Sequence, residues 1–243
     1  MALNISLGSF YGIDSLLDFM IILVAALIAY QSRRVYKLIK EKNYLRFSYA
    51  FLSIALAFVA KIIANLTIVY ETKIEHVNFV VFVTHELQEM QIINLLGSTF
   101  YKVFLLIGFL ILFLITTKTD KKEDVILFAY FAAISVLFSL YFNFIFHLTI
   151  IIILVALTTH FHNNYKKTKS GNSYKVYLAF LFILVSHVIC LFYGIHVFVY
   201  LLGEIFVFAG FLILLVNHTK IKNGKEKDKV RGNKRPLRNS KKR

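Results

Sequence analysis

Long uncharged runs separated by short charged stretches recur along the chain, at 13–31, 45–69, 93–117, 125–141, 144–161, 176–193 and 195–217. Each is near the roughly 20 apolar residues that carry a helix across a bilayer. The pattern predicts an all-α integral membrane protein with seven transmembrane helices. Between the second and third runs, Phe79 to Val83 is too short to cross and is expected to lie at the interface, with Glu86, Gln88 and Glu89 among the headgroups.

Composition agrees. Of 243 residues 58% are hydrophobic, with a mean hydropathy of +0.70, whereas soluble domains run at about 45–50% apolar. A water-soluble globular protein is excluded. The first run, preceded by no basic stretch, is not expected to be a cleaved signal peptide.

Charge sets the expected orientation, because basic residues flanking spans stay on the cytoplasmic side. The segments 32–46, 118–124, 162–175 and 218–243 hold 25 of the 28 Lys and Arg residues. The other side carries Lys73, several glutamates, Asp14 and Asp18. The N-terminus is therefore expected outside and the C-terminus in the cytoplasm, in the cell membrane. Residues 218–243 have 12 basic and 2 acidic side chains and almost nothing apolar, the composition of a disordered tail. Such a tail and the basic inner loops are expected to adhere to anionic lipid headgroups. No aromatic residues interleave to read bases, so nucleic acid is not an expected partner.

An internal repeat is visible. A shift of 102 places Gly108-Phe-Leu-Ile-Leu112 on Gly210-Phe-Leu-Ile-Leu214 and Lys102 on Glu204. A shift of 129 places Tyr36-Lys37 on Tyr165-Lys166, Ala50-Phe51-Leu52 on Ala179-Phe180-Leu181 and Ile54 on Ile183. The domain plan is then a membrane domain, 1–217, of two parallel three-helix units, 13–117 and 144–217, joined by a linker helix, 125–141, and followed by the tail, 218–243. Parallel repeats about an axis along the membrane normal are a transporter plan, with solute held between the halves.

In this topology the chain resembles SWEET and PQ-loop sugar transporters and, more distantly, microbial rhodopsins. It lacks their motifs. There is no Pro-Gln pair, the sole proline is Pro236, and no lysine lies in 196–217 for a retinal Schiff base. The stretch Ala25 to Tyr36, a small-residue helix ending in Arg33-Arg34-Val-Tyr36, together with Gly108-Phe109, also resembles uncharacterised archaeal membrane proteins built of three-helix units. That resemblance implies no activity.

An ionisable group inside a span costs roughly 2.5–3.5 kcal/mol and calls for a partner or a use. Lys102 and Glu204, at matched positions of the two units, are expected to pair across the central axis near the middle of the bilayer. Lys61 lies in the outer half of its span with Asn65 at i+4, and its stem can carry the ammonium out to the headgroups. With His147, His187 and His196 these positions outline an outward-facing polar cavity. Two cations against one carboxylate favour an anionic or zwitterionic solute, and the histidines make binding pH-dependent. A purely structural ion pair, in a receptor or scaffold docking a partner through its basic inner face, is the alternative. Neither a metal site nor a cofactor is indicated, since the histidines lack ligand spacing. No hydrolytic motif or phosphate-binding glycine loop occurs, so no enzyme is expected. The single Cys190 reads as a small buried hydrophobe.

Overall fold

The seven runs fold as seven helices: α1 (Leu7–Ile39), α2 (Lys42–Ile74), α3 (Val83–Thr117), α4 (Lys122–Ser139), α5 (Asn143–Thr168), α6 (Gly171–Cys190) and α7 (Val197–Asn233). The computed structural model describes the backbone of residues 7–74, 83–117, 121–192 and 197–233, and the side chains of 14–66, 91–117, 121–192 and 198–219. Among the described residues six helices are long and apolar enough to cross a membrane, which fits a multi-pass membrane protein. The exception is α4. Lys122, Glu123 and Asp124 fill its first turn and leave a shorter apolar stretch behind them.

Helix neighbours define a ring. Packing runs α1 to α2 to α3 to α5 to α6 to α7 and back to α1, while α4 lies outside, against α3 and α5. It runs antiparallel to α3: the Phe113 and Phe128 rings meet at 5.1 Å, and eleven residues along each helix Lys102 Nζ donates to the Ser139 carbonyl at 3.0 Å.

The polar inversion expected of a protein in lipid is present. On α1, Leu16, Phe19, Leu23 and Leu27 are exposed at helical spacing, while Ile21, Ala25 and Ile28 face inward and are buried. Lipid gives no hydrophobic drive between helices, so close packing must hold them. Gly108 sits so near α2 that an added Cβ would fall 2.5 Å from Ile54 Cγ1 and 3.0 Å from the Ala50 carbonyl. Gly210 meets α6 in the same way, 2.6 Å from Ile183 Cγ1 and 2.8 Å from the Ala179 carbonyl. Two chain reversals also match. Lys40 (φ 61°) and Lys169 (φ 47°) take the left-handed conformation, and each donates its N–H at 2.7 Å to the carbonyl of Tyr36 or Tyr165.

Two expectations need correction. Residues 83–92 continue α3 rather than forming a separate interfacial piece, and 75–82 lie outside the described residues. Likewise α7 remains helical to Asn233, well into the stretch expected to be disordered. Extending an existing helix requires no new nucleus, and the Lys-rich sequence meets no proline before Pro236.

Candidate functional site

Three pairs of polar residues, each at i and i+4 and so on one face of a helix, converge near one end of the ring. They are Asp14 and Asp18 on α1, Lys61 and Asn65 on α2, and Tyr200 and Glu204 on α7. Lys61 Nζ lies 3.1 Å from Asp14 Oδ1, 2.9 Å from Asp18 Oδ1 and 2.9 Å from Glu204 Oε1. Asp14 Oδ2 accepts from Asn65 Nδ2 at 2.6 Å and from the Tyr200 hydroxyl at 2.9 Å. Asp14, Asp18, Lys61 and Glu204 are all buried. The ammonium also stands 5.4 Å from the centre of the Tyr200 ring and 5.8 Å from that of Phe58.

Beside this cluster is a cavity of about 230 Å³. That is room for several waters or a small solute. Asn65, Asn94, Ser98 and Asn143 line it near where the apolar span of α2 ends and those of α3 and α5 begin, and Phe109, Ile183 and Phe211 line it further in. Lys61 on α2 and Glu204 on α7 line it too. So do Lys102 on α3, 6.0 Å from the centre of the Phe146 ring, and a histidine pair on α5 and α6. His147 Nδ1 and His187 Nδ1 lie 3.2 Å apart, so one ring nitrogen donates and the other must be unprotonated to accept.

Six of the seven sequence candidates, Lys61, Asn65, Lys102, His147, His187 and Glu204, thus line one cavity. His196 lies outside the described residues. The expected pairing is different, however. Glu204 binds Lys61, and the bond of Lys102 goes to the Ser139 carbonyl. Lys61 does not reach to the headgroups, because three buried carboxylates hold its ammonium inside. Asp14, Asp18 and Lys61 lie nearer one end of their spans than the middle, whereas Glu204, six residues into the Phe198–Thr219 span or about 9 Å at 1.5 Å per residue, stays closer to the middle of its own, as expected. With Asp14 and Asp18 added, carboxylates outnumber the two lysines, which removes the basis for favouring an anionic solute.

Asp14, Asp18 and Glu204 each place an oxygen within 4.8 Å of the others, the spacing of a cation site. The centre is taken by the Lys61 ammonium, a tethered cation. Both aspartates escaped the sequence reading because they stand at the start of a span, where acids read as boundary markers; their i, i+4 spacing in register with Ile21 and Ala25 was the available signal. Ser186, whose Oγ is buried and without a hydrogen-bond partner among the described residues, also lines the cavity and had no signal.

No protein-family model matches the chain, nor does any curated protein or solved structure.

Proposed function

We propose that this chain is a non-enzymatic carrier in the cell membrane for a small zwitterionic or cationic solute, bound in the cavity between two three-helix units. The observation that carries the reading is a polar cavity lined by both Lys102, from α3, and Glu204, from α7, each bonded elsewhere rather than to the other. A structural ion pair alone needs a dry, packed contact and no such space. The two groups suit a solute with charges of both signs, because Lys102 spends one of its three N–H donors on Ser139 and Glu204 Oε2 has no hydrogen-bond partner among the described residues.

The 3+1+3 plan supports this reading. Shifts of 129 and 102 residues relate Ile54 with Gly108 to Ile183 with Gly210, and Lys40 to Lys169. They also relate Phe58 with Phe211, edge to face at 6.2 Å and 86°, to His187 with Phe109 at 6.3 Å and 86°. Six ring helices in two arcs, with α4 as the returning connector, suit a solute on the axis between repeats. On this reading the basic segments face the cytoplasm and the asparagine-lined end of the cavity faces outside.

A thermal-shift screen of the purified chain tests this, using panels of small zwitterions, cations and anions. Stabilisation by zwitterions or cations that is lost in Glu204→Gln is the expected result. Stabilisation by no panel, in a protein that stays folded, would favour the scaffold.

A further inference from the structure

Lys61 has three N–H donors, and each faces a different carboxylate: Asp14 at 3.1 Å, Asp18 at 2.9 Å and Glu204 at 2.9 Å. The second oxygen of Asp14 is also satisfied, by Asn65 and Tyr200. Asp18 Oδ2 and Glu204 Oε2 are buried with no hydrogen-bond partner among the described residues. A third orphan comes from a different helix. Ser186 Oγ on α6 is fully buried, unpartnered, and in the wall of the cavity that Glu204 also lines.

One ammonium against three carboxylates leaves two negative charges without a counter-charge. The other titratable groups around the cavity do not supply it. Lys102 on α3 gives its bond to a carbonyl and makes no ion pair among the described residues. His147 on α5 and His187 on α6 engage each other. Tyr101 on α3, Cys190 on α6 and Tyr200 on α7 add no positive charge. A carboxylate without a counter-charge in a low-dielectric interior takes up a proton instead of remaining ionised.

We propose that Asp14, Asp18 and Glu204 form a proton-binding site around Lys61, holding two protons and exchanging them with water in the cavity through Glu204. Release breaks the Glu204 O–H bond, passes the proton to a cavity water as hydronium, and leaves a carboxylate still paired with Lys61. Uptake reverses it. A sodium ion fits less well, because membrane sodium sites draw carbonyl oxygens from unwound helices, and α1, α2 and α7 run unbroken through this region. A role in driving solute movement rests on the carrier reading. The site itself does not.

Infrared spectroscopy of the purified full chain, titrated without solute, tests it through the carbonyl stretch of a protonated carboxyl and its shift in D₂O. At neutral pH the buried-acid band should halve in Asp18→Asn and again in Glu204→Gln, vanish when both are combined, and grow by half in Lys61→Met. The wild-type band itself requires no variant to fold. Its absence at neutral pH, its persistence in the double variant, or its loss on adding sodium chloride at fixed pH would overturn the proposal. Solute binding with no band overturns the proton site alone; a band in a protein that binds no solute leaves the site standing and overturns the carrier.

Discussion

Lys61 Nζ lies 2.9 Å from Glu204 Oε1, an ion pair that ties α2 to α7 although the two helices are not neighbours in the ring. The same ammonium holds α1 through Asp14 and Asp18. One side chain therefore joins three helices, and losing it leaves three carboxyl groups without their common donor and one of them without its counter-charge. Breaking a buried ion pair from one side costs about 3–5 kcal/mol. Lys61→Met is expected to lose about that in detergent unfolding, and adding Asp14→Asn, which removes the carboxylate left without its counter-charge, should recover most of it. A Lys61→Met protein as stable as the parent would show that the cluster does not hold the helices.

Gly108 and Gly210 should respond alike to an added methyl group. Each Cβ would meet an isoleucine Cγ1 and a backbone carbonyl inside real contact distance. Overpacking of this kind costs about 1–3 kcal/mol. Gly108→Ala and Gly210→Ala are expected to destabilise by similar amounts in the same unfolding assay. Combining Gly108→Ala with Ile54→Ala should cost less than the two changes added together, since the pair shares the clash. Unequal losses would count against matched packing of the two units.

Lys40 and Lys169 occupy left-handed backbone that disfavours a side chain with a Cβ. Asparagine tolerates that region better than lysine, so Lys40→Asn and Lys169→Asn should each stabilise by a few tenths to about 1 kcal/mol. Thermal unfolding of the two variants checks this, and a loss in either would mean that its lysine makes a contact worth more than the strain.

Helix number and most of the cavity wall were legible because they depend on local features. Runs of apolar residues fix the spans, and an ionisable residue within a span stands out against its neighbours, as Lys102, His147 and His187 do. Pairing was not legible. Asp18 and Lys61 are 43 residues apart in sequence, and no periodicity reports which faces of α1, α2 and α7 turn toward one another. Repeat symmetry suggested that Lys102 and Glu204 meet, but Lys61 has Cys190 as its counterpart under the shift of 129, so the charges need not follow the backbone symmetry. The end of α7 was misjudged for a different reason: composition reports the absence of a core, and a helix already nucleated in the membrane can continue without one.

Lys102 separates the two pairings in a single experiment. With its bond going to the Ser139 carbonyl, Lys102→Met removes one hydrogen bond, worth about 0.5–1.5 kcal/mol, and should leave the protein folded. If the ammonium meets a negative group of the solute, affinity should fall at least tenfold, or about 1.4 kcal/mol, in the ligand thermal-shift assay. Exchanging the charges as Lys102→Glu with Glu204→Lys should then restore nothing, because Glu204 answers to Lys61 rather than to Lys102. Recovery of binding in that exchange would place the functional contact between residues 102 and 204 and make the Lys61 cluster only a clamp on the helices.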